Sequence, residues 1–358
     1  MGPRLSISLC TLIAVVLSAG FAQPADGQWV VPRTADGHPD LQGSWSNATM
    51  TPIDRPGGVG AVLTPEQVAA LEDGRQDFIE TNLANSDPDR AAPAVGGEFT
   101  GNLLFDAASG GTGGYNYFYI DGGDNIAVVN GEHRSSLLVD PANGRRPPLT
   151  EEGQRRTRER FAFQRQFSEY DNPENRPNSE RCLMSFGANA GPPMTPNYFY
   201  NNNYTIVQTA DYVMIMTEMV HDTRIIRLGT PRHMPAHMRP WMGDSWGRWE
   251  GDTLVVETTN IHPNQTLLSI SSAAFNPTEN IKVTERFTRV DEHTINYQFT
   301  VDDPTMFTAP FSGEVPFKAL DGLVYEYSCH EGNYAMAGVL SGARAEERES
   351  GSNQPDTR

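Results

Sequence analysis

Ionisable side chains crowd into one stretch of this chain. Between Glu218 and Trp249 lie His221, Asp222, Arg224, Arg227, His233, His237, Arg239 and Asp244, in sequence broken by Pro231, Pro235 and Pro240. Imidazole titrates close to neutral pH, so a histidine beside a carboxylate can pass protons to and from a bound molecule. His221 with Asp222 is such a pair. A guanidinium holds an anionic group or steadies developing negative charge, the role expected of Arg224 and Arg239. A second cluster runs from Tyr325 to Tyr334 and contains Cys329-His330-Glu331. As a strand it sets Glu326, Ser328 and His330 on one face and Tyr325, Tyr327 and Cys329 on the other. The expected proton-transfer groups are therefore His221, Asp222, His237, His330 and Glu331. The expected substrate contacts are Arg224, Arg239, Tyr204, Trp241 and Glu326. Loop histidines bonded to carbonyls and an ordinary polar strand end are the structural alternatives.

Three familiar motifs are present only in outline. His233 and His237 are four residues apart, the spacing of two zinc ligands on one helical face. Pro235 between them disturbs helical register, and a third ligand has to come from His221, Asp222 or His330. The expected cofactor is none, or a divalent metal such as zinc. Gly243-Asp244-Ser245-Trp246-Gly247 matches Gly-x-Ser-x-Gly, but a nucleophile elbow follows a strand and opens a helix. Here a proline-rich loop precedes it and a hairpin follows. Gly110-Gly111-Thr112-Gly113-Gly114 lacks a Gly-Lys-Ser/Thr ending, so no phosphate fingerprint points to nucleotide chemistry.

The elements that position these groups are mostly strands. Alternation and turn residues predict strands at 115–120, 125–130, 135–140, 204–209, 212–220, 224–228, 246–250, 253–259, 281–290, 294–301 and 323–329. Gly43-Ser44-Trp45 sits in a first strand. Helices are predicted near 65–82, where Thr64, Pro65 and Gln67 form a capping box, and near 151–167. Short strands at this spacing predict an antiparallel, lipocalin-like barrel with two helical insertions, with a β-sandwich as the alternative. Asparagines and aromatics around 197–204, with Trp241, Trp246 and Trp249, suit either a ligand or the core. From Ala345 on the chain is polar, which predicts a disordered tail.

Composition sets the setting. Arg4, the apolar residues 5–21 and the small Ala22 form a signal-peptide pattern over 1–22, which would carry Cys10 away on cleavage. No later stretch reaches the roughly 18 apolar residues of a membrane span. A periplasmic or secreted location follows. There Cys182 and Cys329 are expected to pair, with a reactive thiol at Cys329 as the alternative. A net charge of −18 opposes binding to nucleic acid or anionic lipid. The expected partner is a small molecule, with no nucleic acid and no membrane after cleavage; oligomeric state is not fixed.

Three segments carry a resemblance. Asp36-Gly37-His38-Pro39-Asp40-Leu41-Gln42-Gly43-Ser44-Trp45, Gly247-Arg248-Trp249-Glu250-Gly251-Asp252-Thr253-Leu254-Val255-Val256 and Tyr327-Ser328-Cys329-His330-Glu331-Gly332-Asn333-Tyr334 resemble those of a family of exported bacterial proteins without an assigned activity. The resemblance implies a bacterial, exported protein and carries over no catalytic residue. The residues themselves point to a barrel enzyme performing elimination, isomerisation or hydrolysis on a sugar derivative or phenolic, or else to a non-catalytic small-ligand-binding barrel.

Overall fold

A computed structural model of the protein describes residues 29–83, 89, 121–185, 191–197, 201–268 and 274–352. The chain divides into Met1–Val30, of which only Trp29 and Val30 are described, and Val31–Arg358, which holds the fold. The signal-peptide pattern, the strand expected at 115–120, the glycine run at 110–114 and Tyr198, Phe199 and Tyr200 lie outside the described residues.

In chain order the elements are β1 (Gly43–Ser46), α1 (Pro65–Leu83), β2 (Val128–Val129), β3 (Glu132–His133), β4 (Leu138–Asp140), α2 (Glu151–Gln164), β5 (Asn203–Gln208), β6 (Tyr212–Thr217), β7 (Thr223–Leu228), β8 (Asp244–Glu250), β9 (Thr253–Thr259), β10 (Lys282–Arg289), β11 (Thr294–Asp302), β12 (Phe311–Ala319) and α3 (Ala335–Ser352). Nine strands close a barrel in the order β1-β5-β6-β7-β8-β9-β10-β11-β12. Closure comes where Trp45 faces Ala319 and Ser46 faces Lys318, which decides for a barrel over a sandwich. Neighbours are antiparallel except β7 and β8, which run parallel through Arg227↔Trp246 and Leu228↔Gly247. β4 adds to the other end of β12 at Ser312 and Gly313.

Alternation fills the interior. Val283, Glu285 and Phe287 of β10, Ile295, Tyr297, Phe299 and Val301 of β11, and Phe311, Val315 and Phe317 of β12 are all buried. Tyr297 packs on Phe287 at 4.9 Å and on Phe317 at 5.1 Å between ring centroids, and Tyr204 stacks on Phe317 at 5.6 Å. Each such ring contributes about 1.5–3 kcal/mol by leaving water. Gly313 makes room for them, since a Cβ there would lie 2.5 Å from the Phe299 ring.

The two ends of the barrel differ. At one end the strands turn back through short hairpins, at 209–211, 251–252 and 290–293. Residues 31–42 cover it: Leu41 is fully buried and accepts a bond from Trp45 Nε1 at 3.0 Å. There His38 stacks on Trp249 at 4.8 Å and Arg33 pairs with Asp252 at 2.8 Å. The opening and hairpin motifs thus clasp each other. The opposite end, here the loop end, carries the long connections and α2.

Three expectations change. Residues 323–328 form no strand, Cys329 opens a turn, and Tyr325 is 84% exposed. Closure of β12 on β1 leaves no edge there for another strand. The closing strand is instead β12, whose Gly313 and Pro316 disguise it. Pro316 falls between the β4 and β1 contacts, an edge position where a missing N–H is tolerated. The tail is helical to Ser352 rather than structureless. Arg344 anchors α3 by donating to the carbonyls of Tyr170 at 2.8 Å and Asp171 at 3.0 Å. No helix among the described residues is long and apolar enough to cross a membrane.

Candidate active site

Three consecutive asparagines enter β5 at the loop end, and each organises a different neighbour. Asn201 Oδ1 accepts from Thr217 Oγ1 at 2.7 Å and from the Met219 amide at 2.8 Å. Asn202 donates to the carbonyls of Asn197 and Asp121 and accepts from the Asn197 amide at 2.7 Å. Asn203 Nδ2 donates to Glu218 Oε2 at 3.0 Å. Asn201 and Asn202 are buried, so these amides serve the protein's own backbone and side chains rather than an open ligand surface. Together they hold the Glu218 carboxylate and the backbone of Asp121, two acidic residues that are only partly buried.

The environment of both carboxylates favours the protonated form. Burial pushes the pKa of Glu218 up, the bond from Asn203 opposes it, and the charge of Asp121 raises it further. Burial likewise pushes Asp121 up, with Asp124 adding to the rise and Arg75 and the Gly123 amide opposing it. Gly123 is itself obligatory: at φ 85° a Cβ would lie 2.4 Å from the Thr49 amide nitrogen. Two neighbouring carboxyls with raised pKa values can divide acid and base roles between them.

Immediately after Glu218 the backbone is strained. Val220 holds φ 63°, ψ 7°, a left-handed conformation that costs a β-branched residue about 1–3 kcal/mol. Asn201 and Cys182 also have positive φ. Cys182, Met219 and Val220 form a small cluster against Cys329, to which Cys182 is disulfide-bonded. A cavity of about 500 Å3 opens there between Met219, Val220, Tyr327 and Cys329.

Beneath this rim, inside the barrel, lies a buried ion pair. Arg224 donates to Glu285 Oε2 at 2.7 Å and to Oε1 at 3.0 Å, the two residues being 2% and 0% exposed. Tyr297 donates its hydroxyl to Glu285 at 2.8 Å and accepts from the Met194 amide at 2.8 Å. Asn47 donates to the Tyr204 hydroxyl at 3.2 Å and to the Met194 carbonyl at 3.1 Å. Burial raises the pKa of both phenols, with Glu285 adding to the rise at Tyr297. Arg224 Nε, Asn47 Oδ1 and Thr195 Oγ1, all bordering Met194, are buried without a hydrogen-bond partner among the described residues.

The structure brings some of the expected site residues together and separates others. His221 belongs to the turn Met219–His221, and Asp222 follows it. That turn packs on Cys329, so the segment carrying His221 and Asp222 meets the one carrying His330 and Glu331. His330, Glu331 and Glu326 are exposed. Tyr204 and Arg224 are interior. His233, His237, Arg239 and Trp241 belong to the connection at 229–243 between β7 and β8, which is held to Asn260, Ile261 and His262 after β9. Asp244 anchors it, accepting from Arg227, from the Met234 amide at 2.8 Å and bonding His233 Nδ1 at 3.3 Å. Arg239 donates to the carbonyls of Ile261 at 2.7 Å and Thr278 at 2.9 Å, and Trp241 stacks on His262 at 4.1 Å. His237 is exposed. Among the described residues no three His, Cys, Asp or Glu side chains converge as a metal-binding group. Ser245 lies within β8, its hydroxyl 2.8 Å from that of Thr258, with no helix after it.

Sequence reasoning leaves out Asp121, Glu285, Tyr297 and Asn47. The signal for Glu285 is its phase, since it shares the inward face of β10 with Val283 and Phe287. No known protein family matches the chain, and no curated protein matches it.

Proposed function

We propose that this protein is an exported enzyme that moves protons on a small polar organic substrate, such as a sugar derivative or a phenolic, by elimination, isomerisation or hydrolysis. Glu218 and Asp121 are the acid/base pair, in place of the histidines that the sequence puts forward. The observation that carries the reading is the state of these two groups: partly exposed and both biased towards protonation, with the charge of Asp121 adding to the rise at Glu218. Such tuning makes a carboxyl hold its proton to higher pH than it does in water, which suits it to general-acid work. Carriage of a ligand inside the barrel is the weaker reading, since fully buried aromatic rings fill the centre. Export is supported by the signal-peptide pattern together with the Cys182–Cys329 disulfide.

The test has two parts. Carboxyl-detected NMR titration is expected to place both groups above their ordinary values; a Glu218 that titrates at or below the usual glutamate value sinks the assignment. On uronate-containing glycans and phenolic glycosides, Glu218→Gln and Asp121→Asn are each expected to lower kcat about 100-fold or more in protein that still unfolds cooperatively. Turnover preserved in both variants would likewise refute it.

A further inference from the structure

A cavity of about 1060 Å3 lies away from this site, under α2. The geometry points to a second, separate function for it: we infer that this cleft binds small organic acids, an oxyanion carried on an apolar or aromatic body. It shares no residue with the acid/base site, so either reading can fail alone.

The charge is the first argument. In a chain of net charge −18, five arginines, Arg55, Arg145, Arg146, Arg156 and Arg160, line one cleft, with Asp54 as the carboxylate among its walls. Two of the five are neutralised. Arg146 holds Asp54 through Nε at 3.0 Å and Nη2 at 2.8 Å, and Arg156 pairs with Glu152 and Glu279. Arg55, Arg145 and Arg160 form no ion pair among the described residues. Among the described residues Arg160 donates to the Pro263 carbonyl alone, at 3.2 Å. Burial lowers its pKa, so its charge is held partly away from water without a counter-ion. Uncompensated cations in one concavity are what a bound anion would repay.

The second argument is that the arginines are built in. Arg55 donates to the Ala142 carbonyl at 3.0 Å, and Arg145 donates back to the Arg55 carbonyl at 3.0 Å. Gly144 makes this possible, because a Cβ there would lie 2.7 Å from the Arg55 guanidinium. Arg55 Nε is buried with no hydrogen-bond partner among the described residues. A fixed fork with a spare donor is pre-organised for an oxyanion.

The third argument is the rest of the lining. Phe275 and Phe307 meet edge to face at 5.0 Å, and Phe161, on α2 beside Arg160, is 58% exposed. An apolar lining with convergent polar groups is the usual form of a small-molecule site. A polyanion is disfavoured by the acidity of the whole chain, which leaves a small acid as the occupant.

Calorimetric titration with 2-naphthoate, 2-naphthyl sulfate and 2-naphthyl phosphate, against neutral 2-naphthylmethanol, tests the inference and names the head group. At least one anion is expected to bind about tenfold or more tighter than the alcohol, and more weakly as salt rises. Arg55→Gln and Arg160→Gln are each expected to lose about tenfold in affinity. Arg160 makes a single backbone contact, so its variant keeps the fold even if that of Arg55 does not. Arg248→Gln, on the outer wall of the barrel, is expected to bind as the parent does. Equal affinity for the alcohol, unchanged binding in Arg160→Gln, an equal loss in Arg248→Gln, or no binding of any probe overturns the inference.

Discussion

Replacing Glu285 by glutamine keeps the shape of the side chain but leaves the Arg224 guanidinium, 2% exposed, without a counter-charge. The size of the effect follows from the geometry. Two unit charges about 4 Å apart attract by ~4 kcal/mol at an effective dielectric of ~20. Removing one partner from a buried pair costs ~3–5 kcal/mol, because the remaining charge stays desolvated. The Tyr297 hydroxyl can still donate to the amide oxygen, so its bond adds little. Glu285→Gln is thus expected to lose ~3–5 kcal/mol, Arg224→Met a similar amount, and the double variant less than their sum by ~2–3 kcal/mol. The assay is urea unfolding followed by tryptophan fluorescence, with the midpoint compared at constant slope and the disulfide intact. Losses below ~1 kcal/mol in both single variants, or strictly additive losses, would refute the reasoning, since they would mean that water reaches the pair.

Two other outcomes follow from the same structure. Because burial raises the pKa values of Glu218 and Asp121, the folded chain holds their protons more tightly than the unfolded one does. Their contribution to stability is therefore complete below the unfolded values, near pH ~4, and lost as pH rises through the folded ones. The fall in unfolding midpoint over that window is expected to shrink in Glu218→Gln/Asp121→Asn, and an unchanged slope contradicts the assignment. The Cys182–Cys329 bond spans 147 residues of sequence and ties the segment before α3 to the barrel. Cys182→Ser/Cys329→Ser is expected to lose up to ~5 kcal/mol and to be cut first after β12 in limited proteolysis; a variant as stable and as resistant as the parent would argue against it.

The strands themselves were largely legible, because alternation is a local property. In β11 the inward set Ile295, Tyr297, Phe299 and Val301 can be marked on the page, and the structure buries all four. β12 was not legible, because Gly313 and Pro316 both lower strand preference. The reasons for them are non-local: the Phe299 ring in one case and the gap between β4 and β1 in the other. The site divides in the same way. An inward glutamate at 285 demands a partner, but nothing near it in sequence announces Arg224, 61 residues away. The histidine-rich connection misleads because its composition resembles a loop at a barrel mouth. Whether it turns back as a hairpin or returns along the wall depends on strand pairing. The three resembling segments also draw attention away from chemistry, since in the structure they clasp the hairpin end and hold the disulfide.

The parity of the barrel explains where the histidines end up. Strands that alternate direction around a closed ring must be even in number, so a ring of nine has to contain a like-directed pair. That pair is β7 and β8, and the chain joining them must travel the height of the wall to start again from the same side. The odd count therefore obliges the molecule to wear an external strap. His233 and His237 ride on it, exposed, while its far part reaches the β9–β10 connection, where Trp241 stacks on His262.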